Sequence, residues 1–189
     1  LARDPQRLKL AALYGGGAAL CLALALWLHG AGLWLAWPAA ALALVALNYL
    51  GLGARGFAMD RHGRMGWAAR WLFAPYRLGA AVNVWLWTRR LPASVEVAPG
   101  QRLGRLPSPD EWNAAGRPRL LSLSAELQLP AAAAQAGRAR CLPLLDLVVP
   151  PAHRLQRAGL LVEAQRRAAA PGEAVWVCCA LGFSRSAAT

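Results

Sequence analysis

Cys179 and Arg185, near the end of the sequence, have the types and spacing of a nucleophile and an anion clamp. The apolar run 175–177 predicts a strand before Cys179, and small residues from Ser186 onward predict the start of a helix, with Gly182 in the loop between them. Backbone N–H groups of such a loop bind anions, and their positive field favours the thiolate, which is the nucleophilic form of cysteine. A guanidinium adds a bidentate clamp. The loop is therefore suited to bind a phosphate-like group and attack it.

The spacing is selective among the four cysteines of the chain. Cys179 alone has arginine six residues later; the other three are followed at that distance by Trp27, Leu147 and Ser184. One alternative stays open, in which Cys178 and Cys179 are a buried thiol pair that ends a core strand. The cysteines show no repeated spacing, so they predict neither a disulfide framework nor a zinc site, and they favour a reducing compartment.

Composition divides the chain into a membrane part and a small soluble part. Of its 189 residues 57% are hydrophobic and nine are Trp, while the net charge is +12. The basic residues flank apolar runs and are not gathered on one polar helix with interleaved aromatics. This arrangement favours anionic lipid headgroups as partners and disfavours nucleic acid.

Two long uncharged runs, Leu10–Leu28 and Ala31–Gly53, predict a transmembrane helical hairpin over residues 1–54. At about 1.5 Å per residue each run is long enough to cross a hydrocarbon core of about 30 Å. Trp and Tyr near the ends of the second run suit the membrane interface. A signal peptide, for the first run, and a pair of core helices in a soluble bundle are the alternatives.

Basic residues flank the hairpin on both sides, whereas its connecting turn has no Lys or Arg. By the positive-inside rule both ends face the cytoplasm, so a multi-pass membrane protein with a cytoplasmic remainder is expected. The flanking residues are Arg3, Arg7 and Lys9 before the hairpin and Arg55, Arg61, Arg64 and Arg70 after it.

Residues 55–94 form a basic and aromatic linker in which Gly66–Thr88 combines four Trp with Arg70 and Arg77. We expect one or two helices at headgroup level, with aromatic faces down and arginines reaching outward. Two alternatives are a helix packed on the following domain and a third membrane pass, which would place that domain on the other side.

From residue 95 onward the composition is that of a soluble α/β domain. Alternating strands and helices predict a mainly parallel sheet with the site beyond the carboxyl ends of its strands. The expected elements are strands at Val95–Val97 and Arg119–Leu123, a turn at Gly104–Pro107, a helix capped by Ser108, a strand or loop at Leu142–Val149, and a helix at His153–Ala169 with Leu155, Leu160 and Leu161 inward.

The segment C-A-L-G-F-S-R-S, which starts at Cys179, resembles the phosphate-binding loop of the cysteine-dependent phosphatases, most closely the dual-specificity branch of the protein tyrosine phosphatases. G-R-L-P at 104–107, L-S-L-S-A-E at 121–126 and L-P-L-L-D at 142–146 are similar to ordered landmarks of bacterial, membrane-attached members. The likeness covers residues 95–189, about half the chain. One departure is Cys178, where that family usually has His; an oxidative vicinal disulfide with Cys179 is a hypothesis for this position.

The resemblance implies a role for each matching residue. Cys179 would form a phosphocysteine intermediate, Asp146 would protonate the leaving oxygen, and Ser186 would assist departure of the thiolate. The chemistry needs no metal and no cofactor. The phosphoryl oxygens would be held by the Arg185 side chain and the N–H groups of Ala180, Leu181, Gly182, Phe183, Ser184 and Arg185.

Purely structural roles for several polar residues stay open. Asp146 also suits a strand-end carboxylate, and Ser186 a helix N-cap. Glu126 is expected in a surface salt bridge and His153 on the surface at a helix start.

We therefore expect a membrane-anchored phosphatase that hydrolyses phosphotyrosine or phosphoserine of proteins. The alternatives are a phospholipid headgroup phosphatase, of the phosphoinositide or phosphatidylglycerophosphate type, and an inactive adaptor that binds phosphorylated partners. The sequence is expected to be a fragment at both ends, with the 95–189 domain truncated at its C-terminus.

Overall fold

The computed structural model describes residues 4–188, which form two compact units. Within that range the first unit comprises 4–58 and 65–80, and the second comprises 59–64 and 81–188. The expected domain boundaries after residues 54 and 94 stay predictions. Arg3 lies outside the described residues.

The first unit contains a helical hairpin. Helix α1 is Pro5–Leu28, and the Asp4 side chain caps it by accepting from the N–H of Gln6 at 3.0 Å. After a 3-10 turn at Gly30–Leu35, helix α2 runs over Ala36–Leu47 and continues as π and 3-10 turns to Phe57. The segments Pro5–Leu28 and Gly30–Phe57 are each long and apolar enough to cross a membrane. Only 22% of each apolar window is buried, so most of their apolar side chains face outward within the unit.

Aromatic side chains join the next helices to the hairpin inside the first unit. Helix α3 is Trp67–Leu72 and helix α4 is Ala74–Thr88, whose last residues belong to the second unit. Trp71 stacks on Trp37 with ring centroids 4.9 Å apart, and Phe73 lies 5.0 Å from Phe57. Each of the two helices is shorter than the roughly 20 residues that cross a bilayer.

The second unit is built on a five-stranded sheet, which confirms the α/β class. The strand order is β1-β2-β5-β3-β4, and only the β1–β2 pair is antiparallel, so the sheet is mixed and mainly parallel. The strands are β1 Ser94–Ala98, β2 Gln101–Arg105, β3 Arg119–Ser124, β4 Ala139–Leu144 and β5 Val175–Cys179.

Helices cover both faces of this sheet. Helix α7, Ala152–Arg167, packs Ala158 and Val162 against the face that carries Leu121, Val177 and Cys179. The opposite face carries Leu120, Trp176 and Cys178, and is covered by α5, Pro109–Ala114, and α6, Ala131–Gln135. Side chains alternate along a strand, so successive residues of β5 enter different cores.

The Ser108 cap is present in full. Its hydroxyl accepts from the N–H of Glu111 at 3.2 Å, and the Glu111 carboxylate accepts from the N–H of Ser108 at 2.9 Å. This reciprocal capping box satisfies two N–H groups that the first helical turn leaves without partners. The local sequence signal was sufficient here because every participant lies within four residues.

Two details differ from the expectations, whereas Leu142–Val149, predicted as a strand or loop, contains the end of β4 up to Leu144 and loop beyond it. Gly104 and Arg105 end β2 and do not form a turn. The inward prediction for Leu160 is wrong, since its side chain is 72% exposed. The helix faces the sheet with Ala158, Val162 and Gln165, which lie on a different stripe.

Gly104 is required where β2 approaches β1, and its replacement is a test of this packing. A Cβ on Gly104 would lie 2.6 Å from the Cα of Ser94. We expect Gly104→Ala to lower the free energy of unfolding by about 1–3 kcal/mol, because main chain must move. Thermal unfolding followed by near-UV circular dichroism in detergent micelles measures the change.

The matched control is Gly159→Ala in α7, where an added Cβ meets no atom within 4 Å. Alanine favours a helix over glycine by about 0.5–1 kcal/mol, so this variant should unfold at an unchanged or higher temperature. An equal effect of the two substitutions would contradict the close approach at Gly104.

Candidate active site

Three parallel strands end at one edge of the sheet and bring their following residues together. β5 lies between β2 and β3, and β3 pairs with β4. Glu126 follows β3, Asp146 follows β4, and the loop from Ala180 follows β5. Ligand sites of open α/β sheets form at this edge because the strand ends leave a crevice there.

The Cys179 sulfur is enclosed by its own loop. The side chain is 1% exposed, the N–H of Gly182 donates to Sγ at 3.2 Å, and Ser186 Oγ lies 3.4 Å from Sγ. Gly182 has φ +85°, and a Cβ there would lie 2.6 Å from the N of Arg105 in β2. Only glycine meets both conditions without strain. The tight turn thus directs a backbone donor at the thiol.

Arg185 is buried and held by three partners. Its guanidinium donates to Glu126 through two bonds, from Nη1 to Oε2 at 3.0 Å and from Nη2 to Oε1 at 2.7 Å. Nη1 also donates to the carbonyl of Leu144 at 2.9 Å, and Nη2 lies 3.2 Å from Oδ1 of Asp146. This bidentate geometry fixes the plane of the guanidinium.

One donor of Arg185 is left over. Its Nε is buried and has no hydrogen-bond acceptor among the described residues. An unsatisfied buried donor costs about 1–3 kcal/mol, which an anionic oxygen placed there would recover. Arg185 therefore has a donor ready for an acceptor that residues 4–188 do not supply.

The pKa values of Glu126, Arg185 and Asp146 are each shifted from their usual range, for different reasons. Burial acts to raise the pKa of Glu126, but the charge and hydrogen bonds of Arg185 outweigh it, and the pKa lies below the usual glutamate value. For Arg185, burial acts to lower the pKa, but the charge of Glu126 and its hydrogen bonds outweigh it and raise the pKa. Burial, aided by the Glu126 charge, raises the pKa of Asp146 against the opposing charge of Arg185. A charged pair thus lies beside a carboxyl whose pKa is raised.

The expected surface position of Glu126 is wrong, since the residue is 4% exposed. It is the residue of this site that sequence reasoning valued least. Its position directly after the buried strand β3 could have predicted a place in the site, because β3 ends at the same edge of the sheet as β4 and β5. Glu126 acts on the arginine and is a positioning residue.

The structure places Cys179 against Ser186 and Arg185 against Asp146, and the two pairs are joined by the neighbouring positions of Arg185 and Ser186 in the loop; Ser186 is buried. The rest of the loop varies in exposure: Ala180 is buried, Leu181 and Gly182 are half-buried, and Phe183 and Ser184 are exposed. The Ser184 carbonyl accepts from the N–H of Ala188 at 3.1 Å, a single helical turn. The catalytic and phosphate-binding roles of these residues stay predictions. His153 is exposed, as expected.

Cys178 lies on the other face of the sheet from Cys179. It packs in the cluster with Trp112 and Trp176, is fully buried, and has a pKa that burial raises. In an extended strand, neighbouring side chains point to opposite faces, so a disulfide between the two cysteines would require β5 to distort. The geometry therefore does not favour the vicinal disulfide hypothesis.

Comparison of the chain with protein-family models, curated proteins and solved structures finds no match. In residues 4–188 no group of three His, Cys, Asp or Glu side chains is placed to hold a metal ion.

Removal of the Glu126 charge tests the buried pair. We expect Glu126→Gln to lower the free energy of unfolding by about 3–5 kcal/mol, because Arg185 stays buried without its counter-charge. Chemical denaturation in detergent measures this loss. The control is Glu163→Gln, which breaks an exposed pair with Arg167 at 3.0 Å and should change stability by less than about 0.5 kcal/mol. Similar small changes in both variants would contradict the account.

Acid should destabilise the wild type, because it protonates Glu126 and removes the Glu126–Arg185 ion pair. The folded-state pKa of Glu126 is lowered, so its contribution is present above the ordinary value of 4.5 and is lost as pH falls through the folded-state value. The free energy of unfolding should fall more steeply below pH 4.5 in the wild type than in Glu126→Gln. Parallel curves for the two proteins would rule out a stabilising Glu126 carboxylate.

Proposed function

We propose that the chain is a membrane-anchored cysteine-dependent phosphatase that hydrolyses phosphomonoesters through Cys179. One observation carries the proposal: a thiol that accepts a hydrogen bond from the Gly182 N–H lies in the same short loop as a buried, charged arginine whose Nε has no acceptor among the described residues. Nucleophile and anion clamp are thus built on one turn, as the resemblance to the dual-specificity phosphatases implies.

In the first step the Cys179 thiolate attacks phosphorus, the S–P bond forms, and the P–O bond to the leaving group breaks. Arg185 and the loop N–H groups neutralise charge on the three phosphoryl oxygens. Asp146 gives its proton to the departing oxygen, and burial, which raises the pKa of this carboxyl, acts in favour of that role.

In the second step water attacks the phosphocysteine and the P–S bond breaks, which releases inorganic phosphate and the thiolate. The Asp146 carboxylate, deprotonated in the first step, takes a proton from the attacking water. The Ser186 hydroxyl, 3.4 Å from Sγ, donates to the departing thiolate and stabilises its charge.

Phosphotyrosine and phosphoserine of proteins are the proposed substrates. Between Cys179 and Arg185 the loop contains no Lys or Arg, so it lacks the added cations that suit a polyanionic lipid headgroup. The hairpin would anchor the enzyme, with the catalytic unit on the cytoplasmic side, where thiols stay reduced.

A second candidate, a phospholipid headgroup monoester, is favoured by exposed apolar side chains next to the site. Phe183 in the loop is 58% exposed, and Leu147 and Val149, which follow Asp146, are 57% and 82% exposed. A substrate with acyl chains near its phosphate would cover this apolar surface and remove it from water.

Neighbouring cysteines provide a matched test of the nucleophile. In the presence of EDTA, we expect Cys179→Ser to lower kcat for p-nitrophenyl phosphate about 10³-fold or more, because a serine hydroxyl is not ionised there. Cys178→Ser, a change on the opposite face, should keep most of the activity. Equal and negligible rates in wild type and both variants would favour the phospho-binding adaptor.

Two substrates with different leaving groups test whether Asp146 is the general acid. We expect Asp146→Asn to lower kcat about 10²-fold or more for phenyl phosphate and much less for p-nitrophenyl phosphate, whose leaving oxygen needs no proton. For phenyl phosphate, wild-type activity should decline as pH rises through the raised Asp146 pKa, and this decline should vanish in the variant. Equal losses with both substrates would exclude Asp146 as the general acid.

A further inference from the structure

The first unit contains a groove apart from the Cys179 loop, with a volume of about 340 Å³. It lies where α3 and the start of α4 meet the beginning of α2. Its walls combine indole rings with guanidinium groups, which are the side chains that proteins place at membrane interfaces. The lining residues are Trp37, Trp67, Arg70, Trp71, Ala74 and Arg77.

One wall of the groove is fixed by a tryptophan pair. Trp37 stacks on Trp71, and its Nε1–H donates to the carbonyl of Trp71 at 3.1 Å. Trp67 and Trp71 are nevertheless 82% and 65% exposed. Exposed indoles held in a fixed position are costly in water and are stabilised at the headgroup level of a bilayer, where the ring is desolvated and the N–H stays wet.

The groove also concentrates positive charge. Arg70 and Arg77 both line it, and burial together with the charge of Arg70 lowers the pKa of Arg77, as expected for two cations near each other. In the described part of the first unit the basic residues are Arg7, Lys9, Arg55, Arg70 and Arg77, and the one carboxylate side chain, Asp4, lies 4.0 Å from Arg7. An anion in the groove would relieve this repulsion.

The surroundings of the unit indicate where such an anion comes from. Large apolar side chains of the hairpin face outward, among them Leu13 at 68% and Leu20 at 61% exposure, so the unit needs an apolar environment. A phospholipid supplies that environment and an anionic phosphate in the same molecule. Indoles would contact its glycerol and upper acyl region, while guanidinium groups bind the phosphate.

We propose that this groove is a binding site for the phosphate of an anionic phospholipid headgroup, held by Arg70 and Arg77 between Trp67 and Trp71. The proposal rests on the membrane placement of the hairpin and is independent of catalysis at Cys179. The bound lipid is a structural ligand of the anchor and is not hydrolysed.

The test uses the whole chain in dodecyl maltoside micelles that contain either phosphatidylglycerol or phosphatidylcholine. Native mass spectrometry measures the apparent Kd for retained lipid. We expect phosphatidylglycerol to be retained in preference to phosphatidylcholine, and Arg70→Gln/Arg77→Gln to weaken that retention about thirtyfold, since each arginine near an anionic headgroup contributes about fivefold. The control is Lys9→Gln/Arg55→Gln, which removes the same charge from the ends of the hairpin, outside the groove, and should weaken retention much less than the groove variant.

If the double variant does not fold, Arg70→Gln alone is informative, because Arg70 is exposed and its loss leaves the packing intact. It should weaken retention about fivefold.

Equal loss in the control variant, or equal retention of the two lipids, would overturn the site. Displacement of phosphatidylglycerol by millimolar inorganic phosphate would show a site for free anions and overturn the lipid assignment. Activity towards p-nitrophenyl phosphate is measured on the same samples, so failure of the lipid site and failure of the phosphatase are distinguished.

Discussion

The ion pair between Glu126 and Arg185 is the interaction on which the geometry of the site depends. A guanidinium that is 3% exposed is tolerable only with a counter-charge and well-formed hydrogen bonds. Glu126 supplies both, and the carbonyl of Leu144 occupies a further donor. Because the pair fixes the guanidinium plane, it also fixes the direction in which the remaining Nε–H points. The same pair holds the loop that carries Arg185 against the ends of β3 and β4.

Sheet topology makes this pair available. β5 lies between β2 and β3, so its loop is the central one at the carboxyl edge, with β3 and β4 ending to one side. On the other side, the Gly182 turn touches the backbone of β2 at Arg105, which shows why glycine stands at position 182. The loop is thus confined by main chain on one side and by a buried charge pair on the other. Confinement of this kind would reduce the reorganisation that the proposed phosphoryl transfer requires.

Local signals in the sequence were sufficient for some elements of the fold. The apolar run before Cys179 predicted β5, and Ser108 predicted the capping box, because their determinants lie within a few residues. Strand β2, with the sequence Q-R-L-G-R, lacks an apolar pattern and is formed by pairing with β1 and β5, so it was missed. Glu126 was undervalued for a related reason: its partner is 59 residues away, and only the sheet brings them together.

In the proposed reaction Cys179 carries the phosphoryl group between the two steps, so this intermediate can be trapped. The chain, turning over p-nitrophenyl phosphate in detergent, would be quenched rapidly in acid, digested and examined by mass spectrometry. We expect one phosphoryl group on the peptide that contains Cys179, bound through sulfur and lost on treatment with iodine. A phosphoryl group on Ser184 or Ser186, or turnover without any phosphorylated peptide, would contradict it.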